Sequence, residues 1–205
     1  MSRPAEDSDT AVRAISRALW AGESPERLVP QLVRLLRQTD YGSDAWCFAM
    51  RQLALTWAPT RPWRASLLAR ELLRDNPTDH AAWAALGLAQ SIIDNHRYAI
   101  RCYERALGIA PGQPRYQHNL GHLYDVVMGR PDLALPLLRA AHEAEPRCAD
   151  TAASLAHALG RTGDAAAALA VLEPALKKGA TRDQAELRGW LRQQSGSRPS
   201  SPPVR

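Results

Sequence analysis

Apolar residues recur along this chain at intervals of three and four, the spacing that lines them up on one side of a helix. Val12, Ile15, Leu19 and Trp20 make such a stripe within 10–21. Leu28, Val29, Leu32, Leu35 and Leu36 make a second within 27–38, with Arg27, Arg34 and Arg37 elsewhere on the helix. Ser24-Pro25-Glu26 supplies its start, a capping serine followed by proline at the first helical position. Ser43 can cap a further helix through AWCFAMRQLALTW, Pro59 and Pro62 break it, and WRASLLARELLRD continues as its partner. No alternating run long enough for a strand interrupts the series, so the pattern predicts an all-α fold.

From residue 79 a longer period overlies the helical one. With His80 as position 1 of a 34-residue unit, Trp83 falls at 4, Leu86 at 7, Gly87 at 8, Ala99 at 20, Tyr103 at 24, Ala106 at 27 and Pro111 at 32. A unit beginning at Pro114 has Leu120, Gly121 and Tyr124 at 7, 8 and 11, then Ala134, Leu138, Ala141 and Pro146 in the later places with one extra residue. A third, beginning at Ala149, has Leu155, Ala156, Leu159, Ala168, Leu172 and Ala175. Asp94 to Ala99, Gly129 to Ala134 and Gly163 to Ala168 are each five apart. The extra residue of the second unit therefore falls between Tyr124 and Gly129, as a longer helix or a bulge.

This register resembles the tetratricopeptide repeat in its period and its W…L-G…Y…A…A…P signature. The match runs over 79–146, continues through 149–180 and covers roughly half the chain. The resemblance implies a right-handed superhelical solenoid of antiparallel helix pairs, each unable to bury its apolar stripe without a neighbour. Gly87, Ala99 and Ala106 are then points where helix backbones come close. The expected layout is a disordered start (1–9), an N-terminal helical hairpin (10–40), a degenerate repeat-like pair (43–77), three repeats (79–112, 113–147 and 148–180), a C-terminal capping helix (181–194) and a disordered tail (195–205). In the degenerate pair Ala65 and Pro77 keep places 20 and 32, but Gln52 and Leu53 stand where Leu and Gly are expected.

Composition changes this picture little. The 205 residues suffice for one substantial core, and alanine, leucine and arginine outnumber β-branched residues, which favours helix. No stretch approaches eighteen uncharged apolar residues, and Glu6, Asp7 and Asp9 stand where a signal peptide needs an apolar core, so a cytoplasmic protein without a membrane span is expected. Cys47, Cys102 and Cys148 show no metal or disulfide-framework spacing and read as reduced thiols. The net charge of +5 raises nucleic acid as a partner, but basic residues run through the helices beside acids and no aromatic and arginine ladder accompanies them. No nucleic-acid partner is expected.

Function is then a matter of surfaces. The resemblance implies that first helices line a concave groove and that positions 2, 5, 6, 9, 12 and 13 meet a ligand. Those places hold Ala81, Ala84, Leu88, Ser91 and Ile92 in the first repeat, Arg115, His118, Asn119, His122 and Asp125 in the second, and Asp150, Ala153, Ser154, His157 and Arg161 in the third; the degenerate pair adds Met50 and Arg51. Asn119 stands where the family pairs an amide with a partner's backbone. Ala84, Leu88, Asp150 and Ser154 replace the cations of the family's carboxylate clamp. His118 and His122 share a helix face and His157 holds the matching place in the next repeat; without a cysteine or carboxylate at ligand spacing, a pH-sensitive groove is expected ahead of a zinc site. No nucleophile motif accompanies these histidines, so neither a catalytic site nor a cofactor is expected. The expected function is a non-enzymatic adaptor or scaffold that holds a protein or peptide segment, with a dedicated chaperone of a secreted or assembly client as the alternative.

Overall fold

Helix starts in this chain carry their own chemistry. Ser43, Asp79 and Asp164 each accept a hydrogen bond from the backbone N–H three residues on, at 3.2, 2.9 and 3.0 Å. Pro25, Pro62, Pro114 and Pro131 each open a helix, where the missing N–H has no intrahelical partner to lose. The computed structural model describes residues 4–196, and among these the fold is all-α. The helices are α1 (Pro4–Trp20), α2 (Pro25–Gln38), α3 (Asp44–Trp57), α4 (Pro62–Asp75), α5 (His80–Ile92), α6 (His96–Ile109), α7 (Pro114–His122), α8 (Pro131–Ala144), α9 (Ala149–Arg161), α10 (Ala165–Ala175) and α11 (Arg182–Gly196).

Helix α1 begins at Pro4, so residues 4–9, expected to be disordered, are helical; Asp7 and Asp9 sit in its first two turns, where carboxylates favour the positive end of the helix dipole. Ser195 and Gly196, assigned to the tail, close α11 instead. Residues 1–3 and 197–205, also assigned to disordered ends, lie outside the described residues.

One device joins the paired helices of all three repeats. Asp94, Gly129 and Gly163, the residues five before the alanine at position 20 of each repeat, take φ values of +59°, +65° and +85°. This left-handed residue reverses the chain, at no steric cost for the two glycines. The extra residue of the second repeat is absorbed as a π-helical turn, Leu123–Val127, that extends α7; the Met128 N–H reaches back five residues to the Leu123 carbonyl at 3.1 Å.

The chain divides into two units, Met1–Pro111 and Gly112–Arg205. In the first, α1, α3 and α5 pack side by side as one layer, and each is paired with α2, α4 or α6 on the other side. Ile15, Leu28, Leu32, Leu35, Ala49 and Leu53 form one part of its core, and Ala54, Ala69, Ala85, Leu86 and Cys102 another. The ring of Tyr103 lies so near Gly87 that a Cβ there would meet it at 3.0 Å, the close approach expected from position 8 of the repeat. In the second unit α9 packs on both α7 and α11, with α8 and α10 behind, around Leu138, Leu155, Leu159, Leu172 and Leu191. Helix α11 thus closes the apolar end of the last repeat. Thr181 and Gln184 start it as a reciprocal capping box: the Thr181 N–H donates to Gln184 Oε1 at 3.0 Å, and the Gln184 N–H to Thr181 Oγ1 at 3.3 Å.

Candidate functional site

The π turn at the end of α7 decides how the second unit presents its polar residues. Asp125 lies within that turn and is 1 % exposed. Arg161, in the last turn of α9, donates from Nη1 to Asp125 Oδ1 at 3.0 Å and to the Asp125 backbone carbonyl as well. His157, one turn earlier, meets Asp125 Oδ2 through Nδ1 at 2.5 Å. A carboxylate only accepts, so Nδ1 donates in this contact. The Asp125 charge is balanced by Arg161, as a buried carboxylate requires. The outer face of the His157 ring stacks on Trp190 of α11, with centroids 6.0 Å apart and planes 28° from parallel.

Two more imidazoles stand beside this cluster. His118 Nε2 and Ser154 Oγ are 3.0 Å apart, which ties α7 to α9 a second time, and the His118 and His122 rings are 6.4 Å apart. Both histidines have their pKa lowered, chiefly because the surrounding protein desolvates the charged form. His122 adds repulsion at His118, while Asp150 and Glu145 pull the other way. At His122, which reaches solvent at the rim, Asp125 raises and His157 lowers the value.

Between α7, α9 and α11 lies a pocket of about 230 Å³ lined by His122, Asp125, Val126, Ala153, Ser154, His157, Asp183, Gln184 and Leu187. Val126, Ala153 and Leu187 make part of it apolar, and the imidazoles with Ser154 and Gln184 supply directional groups, the composition of a site that takes a side chain and orients it. Gln184 is held by Asp150 at 3.4 Å. A larger recess of about 770 Å³ in the first unit lies along α1 and α2 only, with Ala11, Ile15, Arg34 and Leu35 among its walls. The smaller pocket is the better candidate, because three helices converge on it and a buried charge is fixed at its side.

The structure brings His118, His122, Asp125, His157 and Arg161 together. It gives some of them other duties than the expected groove contact. Asp125 is a buried structural carboxylate, turned inward by the π turn. Met50 is 4 % exposed and packs with Trp46, Leu72 and Ala82, and Ala84 is 3 % exposed, a methyl too short to rise above the surrounding helix surfaces. Arg51 is half-buried and engaged at 2.7 Å by Asp79, the residue that also caps α5. Leu88 is half-buried in the first unit, Asn119 is half-buried and engages His118 through its side chain, and Arg115 is exposed at the start of α7. The sequence reading missed Val126, Gln184, Leu187 and Trp190. The capping box at Thr181 and Gln184 marks where α11 starts, but residues of α11 lie outside the repeat register and carry no position number to read. Among the described residues no group of three potential ligands is arranged to hold a metal ion, and no helix is long and apolar enough to cross a membrane.

Residues 80–113 match the family profile described as Tetratricopeptide repeat. Solved structures share the fold at low identity. PilF of Pseudomonas aeruginosa is similar at 18% identity and a TM-score of 0.72, over 95% of this chain and 89% of that one. YrrB, described as a TPR protein with an unusual peptide-binding site, is similar at 17% identity and 0.66, over 82% and 84%. A thermophilic TPR protein of Thermus thermophilus is similar at 18% identity and 0.65, over 92% and 98%. No curated protein matches the sequence.

Proposed function

We propose that this chain, which belongs to the tetratricopeptide-repeat family, binds a segment of a partner protein along the α7, α9 and α11 face of its second unit, without catalysing a reaction on it. The observation that carries the reading is the pocket itself: three helices leave a part-apolar recess of about 230 Å³ beside the neutralised Asp125 and Arg161 pair. Such a recess suits one apolar anchor side chain, with His122, Ser154 and Gln184 placed to meet the polar groups around it. Ser154 and Asp125 pair with different imidazoles, His118 and His157, so these contacts do not line up as one serine, histidine and carboxylate relay. Recognition of peptide by YrrB supports the class of partner by analogy of fold alone.

The finer reading is an adaptor or scaffold. Val126, Val127 and Met128 are exposed next to the pocket and extend its apolar surface, which also suits a chaperone that shields a client. A photo-crosslinking residue placed at Ala153 or Leu187 tests the site. The reading expects crosslinks to one partner segment from these positions, and Asn119→Ala with His122→Glu to weaken capture by about 1–3 kcal/mol with helicity unchanged. Crosslinks confined to α8 and α10, or undiminished capture by the double variant, would sink it. A client that turns insoluble when this protein is removed selects the chaperone over the scaffold.

A further inference from the structure

Arginine runs along most of the sequence, but the fold sorts it. The outer-layer helices of the first unit, α2, α4 and α6, carry nine arginines (27, 34, 37, 64, 70, 74, 97, 101 and 105), all exposed, against four carboxylates, Glu26, Glu71, Asp75 and Glu104. Nine less four leaves a surplus of five, equal to the net charge of the whole chain. The inner-layer helices α1, α3 and α5 hold three arginines against four carboxylates. Helices α4 and α6 bring their charges to one surface: burial pushes the Cys102 thiol up to about 12, and the guanidiniums of Arg70 and Arg101, one from each helix, both act to lower it.

Two large apolar side chains stand in this field. Trp63 and Leu67, one turn apart on α4, are 71 % and 66 % exposed, with Arg64 and Arg70 beside them on the same exposed ridge. A lone exposed apolar residue needs no explanation, but a tryptophan and leucine pair amid arginines has a specific one. We infer that the α2, α4 and α6 face of the first unit docks on an anionic lipid surface, with Trp63 and Leu67 entering the headgroup layer and the arginines meeting lipid phosphates. The charge complementarity is general to polyanions, and the apolar pair decides among them. Entering a bilayer interface removes both side chains from water, whereas a nucleic acid backbone would leave Leu67 against phosphate. An acidic peptide would find a ridge here in place of a groove.

Sedimentation with vesicles tests this, using phosphatidylglycerol and phosphatidylcholine in equal parts against phosphatidylcholine alone. The full chain is expected to sediment with the anionic vesicles only, and to be released as salt rises from about 0.05 M to about 0.5 M. Arg64→Glu with Arg101→Glu should lower apparent vesicle affinity by about tenfold or more. Trp63→Ala with Leu67→Ala should lower it by about tenfold at about 0.05 M and at about 0.1 M salt alike, where the parent chain still binds, because that contribution is not screened. All four sites are exposed, so circular dichroism and melting should not change. No anionic-vesicle binding, binding indifferent to both double variants, or capture of duplex DNA without vesicle binding would each overturn the inference. The groove of the second unit uses other helices, so either reading can fail alone.

Discussion

Arg161 holds Asp125 twice, through its carboxylate at 3.0 Å and through its backbone carbonyl, and so clamps the π turn after α7 to the end of α9. The Asp125 side chain is almost wholly buried while that of Arg161 is a third exposed. Arg161→Met should therefore be the more damaging change, about 3 kcal/mol, because it leaves a buried carboxylate without its guanidinium. Asp125→Ala frees two groups that can reach water and should be milder, about 1.5–2 kcal/mol. Denaturant unfolding of both variants checks the order; equal, small losses would mean that the clamp does not stabilise the turn.

Gly160 and Gly189 should answer the same substitution in opposite directions. A Cβ at Gly160 would lie 2.5 Å from both Leu191 and Trp190, so Gly160→Ala should push α11 off α9 and destabilise by about 1–3 kcal/mol. Gly189 sits mid-helix in α11 with nothing within 4 Å of the added carbon, and Gly189→Ala should stabilise by about 0.5–1 kcal/mol. Thermal melting measures both, and hydrogen exchange of α11 amides should speed up in the first variant alone.

Helices α7 and α8 meet at Gly121, where an added Cβ would come within 2.7 Å of Leu138 Cγ and 3.4 Å of the Ala134 carbonyl. A methyl already forces the fully buried Leu138 to shift, and a branched side chain also meets the backbone. Gly121→Val is expected to lower stability by about 2–3 kcal/mol and Gly121→Ala by less. A melting temperature unchanged by valine would contradict the close approach.

Acid should weaken this fold through His118 and His122. Their folded-state pKa values lie below the unfolded value, so above about pH 6.5 both states are neutral there and stability is full. As pH falls through that value the unfolded chain takes up protons first, and stability declines until the folded-state values are passed. Replacing both with Gln should flatten this part of the stability curve between about pH 7.5 and 5 relative to the parent chain. Parallel curves for parent and variant would assign the slope to other groups.

Much of the architecture was legible in residue order, because period and capping are local properties. The 34-residue register runs over the helix pairs α5 with α6, α7 with α8 and α9 with α10, and the constant spacing from Asp94, Gly129 and Gly163 to their alanines located the extra residue where the π turn lies. Those three residues take the same left-handed turn, a backbone preference carried by a single position. Gly121 was legible as a contact point for the same reason, since position in the repeat implies which helix faces it.

What only the tertiary structure decided depends on side-chain direction and on partners far along the chain. A repeat position number presumes regular α-helix, and the π turn ends that regularity just before Asp125, so a residue numbered for the groove points inward to Arg161, 36 positions on. Met50 and Ala84 hold groove positions by number, but whether a side chain there reaches water depends on how closely the surrounding structure packs. The arginines looked evenly spread because sequence order alternates inner and outer helices; stacking them into layers gathers the charge on one face. Periodicity specifies which residues share a helix face, whereas which faces meet is settled by the packing of all the pairs together.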